Sequence, residues 1–201
     1  MNFLTLYHYT TNINAEKILK EGFAPKSRII PYNASKIPFY PKNKKAVFFS
    51  FDNNIHGHLQ GLLEHIVSKT LNPNIALIEL NIPYNSYLFY QLLVLDFKPV
   101  LEANNNIVLL REKLFYTTFF SLNFIKEYFR FKKHSKILKT NAFLEYWNSR
   151  TILEKYLLSK KSFSHPEIIS VEKVSSNFIV NIKNFDFREY FPESSLVRYL
   201  R

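Results

Sequence analysis

The stretch that decides the fold runs over residues 3–22, FLTLYHYTTNINAEKILKEG. Aromatic, apolar and threonine positions alternate over residues 3–9, and this period of two predicts a β-strand. Residues 10–12 (Thr-Thr-Asn) offer side-chain oxygens that can cap a helix start. Gly22 stands where a left-handed helix C-cap needs a residue without Cβ. We therefore predict a strand, a short helix and a glycine turn at the start of the chain.

The rest of the chain continues this mixture of strands and helices. Further strands are predicted at residues 46–51, 75–82, 167–169 and 178–182. Helices are predicted at residues 55–69, 120–133 and 140–159, whereas the apolar segment 84–118 is ambiguous between helix and strand. A proline-rich stretch, 24–45, predicts a long irregular loop. Strands at both ends with helices between them favour an α+β domain over a regular βαβ repeat.

Composition excludes several classes of protein. The 201 residues are 47% hydrophobic, which supplies a core and excludes intrinsic disorder. Only three glycines occur, and they form neither dinucleotide-binding nor P-loop motifs. The chain has no cysteine, which excludes disulfides, thiol nucleophiles and cysteine-ligated metal sites. Its histidines do not form an H-E-x-x-H motif, and no metal is expected.

The first residues and the net charge indicate, less specifically than the composition, where the protein is located and what it binds. The first residues, MNFLTLYH, do not have the pattern of a signal peptide, and the apolar run at 88–94 is too short to span a bilayer. We expect a cytoplasmic protein, or one delivered into a host cytoplasm. A net charge of +11 favours polyanionic partners such as nucleic acid, although AT-rich coding DNA produces the same lysine-rich composition. The most basic stretch interleaves with Phe129 and Phe131, and its cations predict a nucleic-acid-binding surface: Lys126, Arg130, Lys132, Lys133, Lys136 and Lys139.

Three segments in order resemble the diphtheria-toxin-like ADP-ribosyltransferase superfamily. The segment 6–22 resembles its opening strand, with an aromatic residue, His8 and Thr10, then a helix with Ile-Leu and a glycine. The segment 46–52, AVFFSFD, is similar to its second conserved strand. The segment 167–179, EIISVEKVSSNFI, is similar to its closing pattern, in which the catalytic glutamate begins a strand. Among members, DNA-modifying toxins and RNA 2′-phosphotransferases look closest.

The resemblance implies a fold and an activity for the whole chain. The fold is a single α+β domain over residues 1–201, with a split, mostly antiparallel sheet flanked by helices and a largely helical insertion around 84–160. The activity is NAD-dependent mono-ADP-ribosyl transfer to a macromolecule, with nucleic acid slightly favoured over protein as the acceptor. A restraining antitoxin or immunity partner fits a toxin of this kind. An RNA 2′-phosphotransferase and a non-catalytic basic nucleic-acid-binding module are the alternatives.

The resemblance also assigns roles to residues. Glu167 matches the catalytic glutamate, whereas Glu172 falls in the following turn. His8 is implied to bind the adenosine ribose of NAD, and we expect it to face Glu167 across one cleft. The resemblance places these further residues around NAD: Tyr9, Thr10, Gly22, Arg28, Phe49 and Ser50.

Two departures from the family pattern concern the nicotinamide side. The tyrosine common on the helix after the second strand is missing, because residues 53–68 contain none. The Ser-Thr-Ser of the arginine-type members is also missing, since Ser50 lies between Phe49 and Phe51. We expect Phe49, Phe51 or Tyr40 to supply the aromatic surface on which nicotinamide stacks.

Overall fold

The structure is a computed structural model that describes residues 2–28, 45–53, 58–118, 123–159 and 162–200. Its helices are α1 (Asn12–Glu21), α2 (His58–Thr70), α3 (Tyr87–Gln91), α4 (Lys98–Thr118), α5 (Asn123–Asn148), α6 (Leu153–Leu158) and α7 (Phe187–Tyr190). Its strands are β1 (Phe3–Thr11), β2 (Ser27–Arg28), β3 (Lys45–Phe49), β4 (Asn74–Pro83), β5 (Leu93–Asp96), β6 (Thr151–Ile152), β7 (Pro166–Ser170) and β8 (Ile179–Asp186).

The strands form two antiparallel sheets. One has the order β1-β4-β8 and the other has the order β2-β3-β7-β5-β6. A single bridge between Tyr7 of β1 and Ser50, just after β3, connects them. The predicted α+β class with a split antiparallel sheet is therefore confirmed.

The opening unit of the chain folds as its sequence predicts. Thr11 caps α1, and its hydroxyl accepts a hydrogen bond from the Asn14 amide at 3.4 Å. The helix ends at Gly22, whose N–H donates to the Ile18 carbonyl and whose φ of 77° is unfavourable for residues with a Cβ. Phe23 then exchanges two backbone hydrogen bonds with Val174, at 2.8 and 3.0 Å. The start of the chain is thus fastened to the segment that follows β7.

Three apolar clusters organise the packing. The largest lies between the two sheets and includes Leu6 and Phe49. A second covers the other face of the five-stranded sheet, where Ile169 and Leu95 pack against Tyr146 of α5. The third covers the other face of the three-stranded sheet, where Tyr9, Leu77 and Phe185 meet Leu63 and Val67 of α2. Each sheet is therefore covered on both faces.

The middle of the chain differs from its prediction. Residues 123–148 form one continuous helix, α5, where two helices separated by a basic linker are expected. No proline or glycine interrupts α5, so the basic residues continue the helix and lie on its surface. The ambiguous segment 84–118 resolves into α3, β5 and α4. The region around 84–160 is largely helical, but it also supplies β5 and β6 to the five-stranded sheet.

Candidate functional site

The two sheets separate between β1 and β3, and this separation forms an opening. Tyr7 and Ser50 exchange two backbone hydrogen bonds, at 2.9 and 2.8 Å. The next hydrogen-bonded pair in this antiparallel register would join Tyr9 to Phe48. In its place the imidazole Nδ1 of His8 donates to the Phe48 carbonyl oxygen at 2.8 Å. We call the region beyond the Tyr7–Ser50 bridge the β1–β3 opening.

The peptide groups of Tyr9 face the β1–β3 opening. In a strand, the N–H and C=O groups of residues i and i+2 point to the same edge, so those of Tyr9 point toward β3 as those of Tyr7 do. No backbone hydrogen bond joins Tyr9 to β3 within the described ranges. An adjacent donor and acceptor of this kind can pair with a carboxamide, which also carries one of each.

His8 closes one side of the opening. Its ring lies 5.2 Å from the ring of Phe23 in an edge-on arrangement and 5.8 Å from that of Phe49. Burial lowers the pKa of His8, although the hydrogen bond to Phe48 acts in the opposite direction. The imidazole is therefore neutral at pH 7 and carries its proton on Nδ1, which donates to Phe48.

The side chain of Tyr9 extends to the opposite face of β1 from His8. Tyr9 is buried, and its hydroxyl has no hydrogen-bond partner among the described residues. Burial raises the pKa of Tyr9, and the negative charge of Asp52 adds to this effect. A buried hydroxyl without a partner costs free energy, so it is a group that a bound ligand can satisfy.

Glu167 lies at the start of β7, opposite Leu95 of β5. The Tyr146 hydroxyl of α5 donates to Glu167 Oε2 at 2.5 Å. Burial raises the pKa of Glu167 to about 7, whereas the hydrogen bond from Tyr146 acts to lower it. A carboxyl group that titrates near neutral pH can act as a general base and can also carry the charge that stabilises a cationic intermediate.

Glu167 and His8 do not face each other, so the expected arrangement across one cleft is wrong. His8 packs against Phe49, and Phe49 pairs with Ile168 on the face between the two sheets. Glu167 precedes Ile168, and successive side chains of a strand point to opposite faces. Its contact with Tyr146 places it on the face that α5 covers.

Ser50 shares the face of Glu167. The register that pairs Phe49 with Ile168 places Ser50 opposite Glu167 as the next pair. The Ser50 hydroxyl accepts a hydrogen bond from the Asp52 amide at 3.0 Å. Ser50 also belongs to the bridge at which the β1–β3 opening begins. Ser50, Glu167 and the start of the opening therefore lie at one end of the five-stranded sheet.

The remaining residues expected around NAD lie on β1, on β2, on β3 and at the end of α1. Thr10 is buried on β1, next to Tyr9. Gly22 packs against Val174, whose carbonyl oxygen would lie 2.5 Å from a Cβ at this position. Phe49 is buried in contact with Phe23 and His8. The backbone of Arg28 belongs to β2, and its side chain lies outside the description, as does Tyr40.

Two of the aromatic residues expected to stack on nicotinamide, Phe49 and Phe51, already contact other side chains of the protein. The ring of Phe51 stacks on that of Tyr156 with centroids 5.9 Å apart. The ring of Phe49 contacts Phe23 at 5.4 Å and His8. Both rings are thus in contact with neighbouring aromatic side chains.

The basic residues line the exposed side of α5, and we call them the basic stripe: Lys126, Arg130, Lys132, Lys133, Lys136 and Lys139. Arg130 pairs with Glu127 at 2.6 Å, and Lys132 lies 4.8 Å from the ring of Tyr128. The exposed Phe129 and Ile137 lie among these cations. The stripe therefore combines exposed positive charge with accessible apolar surface.

Tyr146 is the residue of the site that sequence reasoning missed. It lies on the buried side of α5 one turn after the buried Ala142, and it packs against Phe97 and Phe143. A buried tyrosine needs a hydrogen-bond partner for its hydroxyl, and this need is the only feature of the sequence that could have pointed to Tyr146. Nothing in that feature identifies Glu167 as the partner.

Within the described ranges, no group of three or more histidine or acidic side chains is placed to hold a metal ion. Among the helices in those ranges, none is long and apolar enough for a membrane crossing. Comparisons with protein families, with curated proteins and with solved structures found no match for this chain.

Proposed function

We propose that this chain is an NAD-dependent mono-ADP-ribosyltransferase in which Glu167 is the catalytic carboxylate. One juxtaposition carries the proposal: the β1–β3 opening begins beside the sheet face that holds Ser50 and Glu167, and the Tyr9 peptide at this opening has no hydrogen-bond partner on β3 among the described residues. The three sequence segments that resemble the superfamily supply these same elements, β1, β3 and β7.

NAD offers groups that complement the opening. Its nicotinamide carries a carboxamide, which can accept from the Tyr9 N–H and donate to the Tyr9 carbonyl. In this arrangement the ribose extends toward Ser50 and Glu167. His8 occupies the far side of the opening, where it holds β1 and β3 through its side chain and leaves the peptide of Tyr9 free. We assign His8 this positioning role in place of the expected contact with the adenosine ribose of NAD.

The chemistry assigns a clear task to Glu167. The bond between ribose C1′ and nicotinamide nitrogen breaks, and nicotinamide leaves with the electron pair. Positive charge then develops on the ribose, and the Glu167 carboxylate stabilises it. A nucleophilic atom of the acceptor forms the new bond to C1′, and its proton passes to the carboxylate or to solvent.

The basic stripe supports nucleic acid over protein as the acceptor. Lysine and arginine side chains neutralise phosphates and provide affinity that does not depend on sequence. Phe129, which is 65% exposed, offers a surface on which an unpaired base can stack. Both features belong to α5, the helix that also carries Tyr146 to Glu167.

The test is transfer of label from NAD that is radiolabelled in its adenylate phosphate. The protein is incubated with this NAD and with single-stranded DNA, duplex DNA, RNA or cell-lysate protein, and each fraction is counted. We expect label in nucleic acid. The absence of label in every fraction, together with no thermal shift caused by NAD, would contradict the proposal. Loss of a 2′-phosphate from RNA in the presence of NAD would identify the phosphotransferase alternative.

A second candidate function is a non-catalytic nucleic-acid-binding module. The specific observation in its favour is that His8 packs among Phe23 and Phe49, away from Glu167. In this case nucleic acid binds the basic stripe with a steep dependence on salt, and NAD changes neither the affinity nor the thermal stability. The same two measurements therefore separate the candidates.

A further inference from the structure

We propose that Tyr146 is the positioning residue for Glu167, which it holds at the open end of β7 through one hydrogen bond. This inference rests on the proposed function, since it gives Tyr146 a role in the reaction through the carboxylate. Tyr146 is not assigned a contact with NAD or with the acceptor.

The geometry of the pair supports positioning. The Tyr146 hydroxyl lies 2.5 Å from Glu167 Oε2, within the range of a charge-assisted hydrogen bond from a hydroxyl to a carboxylate. Tyr146 is 1% exposed, and its ring is fixed edge-on by Phe97 at 5.9 Å and by Phe143 at 6.5 Å. A donor with so little freedom restricts the carboxyl group to one orientation.

The surroundings of the pair contain few other ionisable groups. Asp96 ends β5, and its carboxylate accepts from the amides of Lys98 and His165. His165 precedes Glu167 by two residues, in the bend before β7. Asp52 follows Ser50 at the neighbouring strand end. The Tyr146 hydroxyl is the hydrogen-bond donor that the structure places on Glu167 itself.

The hydrogen bond also affects the charge state that the reaction requires. It favours the ionised carboxylate, whereas burial favours the protonated form. Removing the hydroxyl leaves burial unopposed, so ionisation of Glu167 requires a higher pH. Activity that depends on the carboxylate should follow this change.

The test compares the wild-type chain with Tyr146→Phe, which removes one oxygen and retains the ring. Transfer of label from NAD is measured from pH 5.5 to 9.5. We expect the rising limb of the profile to move up by about one to two pH units, as the loss of a hydrogen bond to a charged group implies. A transfer rate that falls by the same factor at every pH would overturn the proposal, because a purely structural defect lowers the rate without moving the pH profile.

A second measurement does not depend on activity. The Glu167 carboxyl carbon is titrated by NMR in protein labelled with ¹³C-glutamate, with Glu167→Gln used to assign the signal. Its midpoint should rise in Tyr146→Phe and remain in place in Phe124→Leu, a packing control on the same helix whose ring stacks on Tyr128. An unmoved midpoint in Tyr146→Phe would overturn the role of Tyr146. If the wild-type chain transfers no label but the titration midpoint of Glu167 still rises in Tyr146→Phe, the result counts against the proposed function and not against the contact between the two residues.

Discussion

His8 and Phe48 take the position of a missing backbone pair. The imidazole Nδ1 donates to the Phe48 carbonyl at 2.8 Å, where the ladder between β1 and β3 would otherwise continue through Tyr9. A side chain therefore holds the two strands together while the Tyr9 peptide stays free.

Replacing Glu167 by Gln should lower the rate of ADP-ribosyl transfer by about 10²–10³, because the amide cannot carry the negative charge that stabilises the ribosyl cation. The rate is measured as transfer of label from NAD. Glu172→Gln is the matched control, since its exposed side chain follows β7 in the turn. Equal rates for the wild type and Glu167→Gln would remove Glu167 from the mechanism.

The contribution of Glu167 to the free energy of unfolding should fall as pH rises from about 4.5 to about 7. Folded Glu167 keeps its proton up to about pH 7, whereas the ordinary pKa of the group is 4.5, so the folded state binds the extra proton in this window. The contribution that is lost is at most about 3 kcal/mol. Urea unfolding at pH 5 and pH 8 measures it, and Glu167→Gln should remove this part of the pH dependence. A dependence that is unchanged in that variant would contradict the prediction.

Replacing His8 by Leu should lower the free energy of unfolding by about 1–3 kcal/mol at pH 7, because the Phe48 carbonyl loses its donor. Burial lowers the pKa of His8, so the wild-type chain should also lose stability as pH falls below about 6.5, and the Leu variant should lose less.

The same variant tests the β1–β3 opening. If the hydrogen bond from His8 to Phe48 maintains the β1–β3 opening, the thermal shift that NAD produces should shrink in His8→Leu, and it should persist in His134→Leu, whose histidine is exposed on α5. If NAD produces the same thermal shift in His8→Leu as in the wild type, His8 does not contribute to the NAD site.

Replacing Lys126, Arg130 and Lys133 together by Ala should weaken binding to DNA and flatten its salt dependence. Each phosphate contact contributes about 0.7–0.9 to the slope of log K against log salt, so the slope should decrease by about 2–3. Fluorescence anisotropy at several salt concentrations measures it. The control removes the same charge elsewhere: Lys17, Lys20 and Lys183, all exposed. Equal losses in both triple variants would indicate a diffuse charge effect without a defined surface.

Replacing Gly22 by Ala should lower the free energy of unfolding by at least about 1 kcal/mol. The residue has φ 77°, and an added Cβ would lie 2.5 Å from the Val174 carbonyl. Chemical unfolding measures the effect. Glu21→Ala, one residue earlier, changes only an exposed ion pair with Lys17 and should be nearly neutral. An unchanged free energy of unfolding in Gly22→Ala would show that the turn can adapt to the added Cβ.

The local elements could be predicted from the sequence because their signals are local. The alternation in residues 3–9, the Thr11 cap and Gly22 depend only on neighbouring residues, and the structure confirms them. The continuous α5 was missed because its polar and basic middle has no strong apolar period. In the structure its stability comes from packing against α4 and the sheet, through residues such as Ala142 and Tyr146.

The site was harder to predict because it depends on how strands pair. The sequence indicates Glu167 as the start of a strand, but its face is set by the register with Phe49 and Leu95. A change of one residue in register moves a side chain to the opposite face, so the relation between His8 and Glu167 could not be inferred. The contact with Tyr146 likewise joins residues that only the folded sheet brings together.

The helical hairpin of α4 and α5 leaves the sheet after β5 and returns at β6, and Val94 pairs with Thr151 there. Its two ends are therefore neighbours, which is the geometry of segments that evolution can exchange between related domains without rebuilding the host. In this chain the returning helix also delivers the hydroxyl that holds Glu167. A transplanted hairpin would have to bring its own donor to Glu167, and it would bring its own surface charges on the same helix.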